Sequence, residues 1–202
     1  MSKDAQSINS RVAETISFVL NAPLIAAITF IILIESIGSK SNTELMLAVT
    51  ILFATIIPLV SIYVLAKSRV ISDFYATKKE TRVYPFFAAI ISYFFGSVIL
   101  LSIGADPRIV SLMLCYFVNT AIMMTINFRW KISIHASGIS GPATALIYLS
   151  LGIPGSVLML LILPIGWARI TLKAHTLLQV LAGSLFTIVI TYLQFVVYLT
   201  VL

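Results

Sequence analysis

Residues 44–66 read ELMLAVTILFATIIPLVSIYVLA, an apolar run that opens at Glu44 and is closed by Lys67. As a helix, a run of this length crosses the roughly 30 Å hydrocarbon core of a bilayer. Inside lipid every backbone amide needs an internal partner, so only helices or a closed barrel can span it. Barrel strands alternate polar and apolar residues. This run does not alternate, and the reading is a transmembrane α-helix. Working outward, similar runs cover 17–37, 85–101, 109–126, 135–151, 156–168 and 175–202. Pro23 marks a helix start within the first, where a missing N–H costs nothing. An amphipathic lead-in is expected over about residues 8–20.

Composition agrees with this pattern. The 202 residues are 60% hydrophobic and 10% charged, with a mean hydropathy of +1.09. A soluble domain carries about 25% charged residues. The fold class is therefore all-α: a polytopic membrane helix bundle of about six to seven transmembrane helices, forming one integral membrane domain over 1–202. The first apolar run is followed by further runs, so no cleaved signal peptide is expected. The net charge of +6 is confined to short loops between apolar segments. That distribution suits topology signals and lipid headgroups, and no nucleic-acid partner is expected. Cys115, the one cysteine, lies within an apolar run and cannot form an internal disulfide.

Residues 135–168 differ from the other runs. Ser137, Gly138, Ser140, Gly141 and Pro142 dot the first half, and Gly152-Ile153-Pro154-Gly155 reads as a turn. Two short helices forming a hairpin are expected, with polar residues at one mouth that suit a water-filled pocket. Counting helices brings the N-terminus and loops 67–84, 128–134 and 169–174 to one face. That face holds eleven of the thirteen Lys and Arg, leaving Lys40 and Arg108 on the other. The positive-inside rule places the basic face in the cytoplasm, with the chain integral to the cell membrane. Glu35 and Glu44 read as interfacial, Asn119 as an interhelical hydrogen-bonding residue, and Tyr84, Trp130 and Trp167 as parts of an aromatic belt.

Only two histidines occur, His135 and His175, and both fall on the basic face beside Arg or Lys. Taken singly, each is an ordinary interfacial residue at a helix end. Taken together, two imidazoles and several cations at one membrane mouth fit phosphoryl transfer. One His attacks phosphorus, the other protonates the leaving oxygen, and the cations hold the remaining oxygens.

The spacing carries a resemblance. Arg169-Ile-Thr-Leu-Lys-Ala-His175 has an Arg-x5-His spacing, with Gln179 four residues on. Ile132-Ser133-Ile134-His135 keeps a Ser and a His, and Lys78-Lys79-Glu80-Thr81-Arg82-Val83-Tyr84-Pro85 precedes both. In this order the segments resemble the three motifs of the type 2 phosphatidic acid phosphatase superfamily, the membrane lipid phosphatases related to vanadium haloperoxidases. Those motifs are Lys-x6-Arg-Pro, Pro-Ser-Gly-His and Ser-Arg-x5-His-x3-Asp. The resemblance covers roughly residues 78–183. Arg82 and Pro85 are not adjacent, the second motif lacks its Pro and Gly, Ala168 stands for the Ser, and Gln179 stands for the Asp.

The resemblance implies an integral membrane phosphatase that hydrolyses a lipid phosphate or diphosphate through a phosphohistidine. His175 is then the nucleophile, Gln179 its orienting partner and His135 the general acid. Arg82, Arg169, Lys78, Lys79 and Ser133 hold the phosphate. No metal and no cofactor are implied. Two alternatives remain open: a lipid phosphotransferase or non-catalytic lipid-phosphate-binding protein, and a small transporter or assembly factor.

Overall fold

A computed structural model of the chain describes residues 3–38, 42–71 and 80–202, the side chains of 3–7 excepted. These residues form eight helices: α1 (Lys3–Val19), α2 (Ala22–Ile37), α3 (Thr43–Lys67), α4 (Glu80–Ser102), α5 (Pro107–Arg129), α6 (Ile134–Tyr148), α7 (Gly152–Thr171) and α8 (Leu177–Val201). Among the described residues, α3, α4, α5, α7 and α8 are each long and apolar enough to cross a membrane. The stretch Ile8–Val19 together with α2 makes a sixth if the bent pair is one span.

The first apolar run, expected over 17–37, is divided. Asn21 breaks it: its amide Nδ2 donates to the Phe18 carbonyl at 2.8 Å, and its Oδ1 accepts from the Leu24 N–H at 2.9 Å. One side chain thus serves the end of α1 and the start of α2, which lie at 45°. Pro23 sits in the first turn of α2, as its missing N–H predicts. The amphipathic lead-in is α1, which packs on the second half of α7.

Helix α3 carries a π-turn over Leu52–Ile56 just before Pro58. Pro58 has no N–H to give the preceding carbonyls. The Phe53 carbonyl instead accepts from the Ser92 hydroxyl at 2.6 Å, so a neighbouring helix satisfies the freed group.

Helix α6 is the centre of the bundle, packed against α2, α7 and α8. Its small residues make that position possible, since they let backbones approach. A Cβ at Gly138 would lie 2.4 Å from the Ala22 Cβ, and one at Gly141 would lie 3.0 Å from the Thr187 methyl. The Ser137 hydroxyl is 2.6 Å from the Thr187 hydroxyl. The dotted polar residues of α6 therefore serve close packing on α2 and α8 first, although Ser137 and Gly138 also line a cleft described below.

The hairpin differs from expectation in its second arm. Helix α7 is 20 residues long and begins at Gly152, so residues 152–155 are its first turn. The reversal falls just before it, at Ser150, whose φ is +63°. Pro154 is accommodated because a first-turn residue needs no N–H. Gly155 lets α7 lie against α6, since a Cβ there would meet Ile147 at 2.6 Å.

Candidate active site

Three chain segments meet at one end of the bundle, and each is fixed by its own backbone. The first joins α7 to α8. Lys173 turns the chain with φ of +52°. The N–H groups of Ala174 and His175 then both donate to the Arg169 carbonyl, at 3.0 and 3.2 Å. This is how a helix end closes its orphan carbonyls. The Arg-x5-His spacing is thus the length of one helix-end turn, and it ties His175 to Arg169. His175 lies just before α8 rather than in its first turn, because Thr176 is the N-cap.

Thr176 and Gln179 form a capping box. The Gln179 N–H donates to the Thr176 hydroxyl at 3.3 Å, and the Thr176 N–H donates to Gln179 Oε1 at 3.2 Å. The same Oε1 is 3.1 Å from His175 Nδ1. With the ring proton assigned to Nδ1, Gln179 accepts it, and the lone pair remains on Nε2. Gln179 thus serves the imidazole and a helix cap together, and Thr-x-x-Gln at a helix start is the legible signature of the cap.

The second segment is the 3₁₀ turn Glu80–Arg82 that opens α4. Arg82 is 2% exposed. Its Nη1 donates to the Ile132 carbonyl at 3.3 Å, and its Nη2 stands 3.3 Å from His175 Nε2. The third segment is residues 130–133, between α5 and α6, with His135 in the first turn of α6. The Ser133 N–H donates to the Gln179 carbonyl at 3.2 Å. A Cβ at Gly183 would lie 2.6 Å from the Ser133 carbonyl, so only glycine admits this loop against α8. The His135 ring hydrogen-bonds the backbone of Ser17 in α1, and Arg169, His175 and Arg82 are its electrostatic neighbours.

Of the residues expected at the site, His135, His175, Gln179, Arg82 and Arg169 come together. Arg169 is 1% exposed. Ser133, expected to hold phosphate, is fully buried, and its hydroxyl caps α6 through the Ala136 N–H. The cap needs an oxygen where the helix starts, which explains why Ser occurs there. Lys78 and Lys79 lie outside the described residues. Lys131, which was not anticipated, acts electrostatically on His175.

The field at His175 is positive. Burial lowers its pKa most, Arg82, Arg169 and Lys131 lower it further, and the Gln179 hydrogen bond opposes them, leaving it at about 3. The imidazole is neutral at ordinary pH. A neutral imidazole is a nucleophile, and buried guanidiniums are bidentate holders of phosphate oxygens. A cleft of about 150 Å³ runs from Arg82 and His135 into the bundle. Asn119 in α5 makes the expected interhelical bonds, donating to the Thr191 hydroxyl at 2.9 Å and accepting from Gln194 at 2.7 Å. Tyr84, Trp130 and Trp167 are exposed, as belt residues would be. The chain matches no protein-family model, no curated protein and no solved structure.

Proposed function

We propose that the chain is an integral membrane phosphatase that hydrolyses a lipid phosphate or diphosphate through a phosphohistidine. The observation that carries this is the geometry around His175: Gln179 Oε1 at Nδ1 and the Arg82 guanidinium at Nε2. A phosphate gripped by Arg82 and Arg169 is delivered to the nucleophilic nitrogen. Nε2 forms a bond to phosphorus, the P–O bond to the lipid breaks, and His135 passes to the departing oxygen the proton that a monoanionic substrate phosphate brings with it. Water then attacks the phosphohistidine, loses its proton to His135 and releases inorganic phosphate. The cations answer the charge on the transferring group, and no further group is required for either step.

In this reading α6 and α7 form the hairpin that presents the site, within a bundle of about six spans. The mouth lies at the lipid headgroup level, on the cytoplasmic side because the Lys and Arg excess is there. A Cys introduced at Lys173, in a Cys115→Ala background, should then react with an impermeant thiol reagent only in inverted vesicles. Labelling in intact cells rejects the sidedness.

A second reading is favoured by Gln179. An amide shared with a helix cap orients the imidazole but adds no negative charge as the phosphohistidine forms. A lipid phosphotransferase or a lipid-phosphate binder tolerates this better than a fast hydrolase. Phosphate release from dodecyl phosphate by the purified full-length protein separates the readings. Release by wild type, with His135→Ala slower by about 10²–10⁴-fold, supports hydrolysis. Binding of dodecyl phosphate with no release supports the second reading.

A further inference from the structure

The cleft that begins at Arg82 and His135 continues where no phosphate belongs. Along α4 it is lined by Pro85, Phe86, Ala89 and Tyr93, successive positions on one helix face. From Arg82 to Tyr93 that face rises roughly 16 Å at 1.5 Å per residue. The adjoining wall, on α5, runs from Met123 through Thr120 and Asn119 to Tyr116 and Leu112. Tyr93 and Tyr116 are buried, and their rings lie 5.4 Å apart at the deep end with Leu112. Helix α3 contributes Pro58, Leu59 and Ile62, the proline being the one that follows the π-turn. The lining is mostly apolar, and its cationic and imidazole groups, Arg82 and His135, lie at one end.

We infer that this cleft is a tail-binding site for a single hydrocarbon chain of a lipid phosphate, with Tyr93, Tyr116 and Leu112 as a floor that limits chain length. The inference rests on the lipid-phosphate reading and goes beyond it, because it takes the tail out of the bilayer and into the protein. Charge complementarity sets the orientation: the phosphate meets Arg82 at the entrance, so the tail is the part that points inward. About 150 Å³ spread over such a length fits one chain. A second chain, where the lipid has one, stays in the membrane.

The test uses purified full-length protein and n-alkyl phosphonates from butyl to hexadecyl, which keep the headgroup and cannot be hydrolysed. In wild type, each added methylene should tighten binding about fourfold, until the chain reaches the floor; longer chains should gain nothing more. Ala89→Phe fills the middle of the cleft. It should bring the levelling point to a shorter chain while butyl phosphonate binds as before. Thr120→Phe does the same from the α5 wall and serves if the first variant does not fold. If wild type and both blocked variants give the same chain-length profile, the tail lies outside the cleft and the inference is wrong. A profile shortened by either substitution upholds it, even if the matching alkyl phosphate is not hydrolysed, which would reject the phosphatase reading alone. Hydrolysis with an unshortened profile rejects the cleft alone.

Discussion

The two ends of the bundle treat arginine differently. At one end Arg108 follows the α5 N-cap, and Asp106, two residues before it, holds it by a charged pair at 2.6 Å. The Asp106 carboxyl is lowered by its hydrogen bond from Arg108, with burial opposing. The Arg108 side chain is 42% exposed. This is a local contact at a helix start, of a kind worth 0–1 kcal/mol. At the other end Arg82 reaches a carbonyl 50 residues away and an imidazole 93 residues away, and it is almost fully buried. Holding a guanidinium out of water is costly, and a bound anion offsets that cost. One arginine completes a helix cap; the other completes a site assembled from distant segments.

The largest effects should separate these two ends. Arg82→Met and Arg169→Met should each lower phosphate release by about 10²–10³-fold, the range for removing one group that answers transition-state charge. Arg108→Ala should leave release unchanged and cost at most about 1 kcal/mol. Equal losses at both ends, measured as kcat/KM on a short-chain lipid phosphate, would remove the distinction.

Next comes the backbone that brings the segments together. Gly183→Ala puts a methyl 2.6 Å from the Ser133 carbonyl. The loop must move away from α8, and it carries Ile132, which anchors Arg82, and His135. Activity should fall about tenfold or more, with a stability loss of about 1–3 kcal/mol from overpacking. Gln179→Ala removes both the cap and the imidazole's partner. It should lower kcat by about tenfold or more. Gln179→Glu keeps the capping-box chemistry and adds a carboxylate, so activity should be preserved or raised. Thr176→Ala breaks only the cap, and its cost of about 0.5–2 kcal/mol should appear in stability rather than rate. If Thr176→Ala loses as much activity as Gln179→Ala, Gln179 acts through the helix and not through the ring.

The pH response follows from the depressed pKa of His175. The unfolded imidazole takes a proton near its ordinary value of 6.5, while the folded one resists until about 3. Between these values the unfolded state binds more protons, so stability is full above pH 6.5 and is lost as pH falls towards 3. His175→Gln should lose less stability than wild type on acidification from pH 7 to pH 4.5, read as Tm in detergent. A larger loss in the variant would mean that the folded ring is not held neutral. The smallest effect belongs to Asn119→Leu in the bundle interior. It removes two interhelical hydrogen bonds of about 0.6 kcal/mol each, a loss that should read as a small fall in Tm in detergent.

Much of the fold was legible because a bilayer imposes long apolar runs with polar punctuation. Residues 44–66 are one helix for that reason. The break at Asn21 was harder to read, since a single side chain interrupts a run whose hydropathy hardly changes. The start of α7 was misread because Gly152 and Pro154 are turn residues by composition and first-turn residues by position. The sequence pointed to Arg169 and His175 through their spacing, which a helix-end turn enforces. It did not reveal Lys131 at the site or the capping duty of Ser133. Proximity between positions 131 and 175 leaves no periodic trace, and a capping Ser looks the same as a phosphate-binding one.

The most direct measurement is phosphate release from dodecyl phosphate by wild type and His175→Ala, both purified full-length and folded. Steady release by wild type and none by the variant is the expected result. If His175→Ala releases phosphate as fast as wild type, His175 is not the nucleophile and the mechanism is wrong.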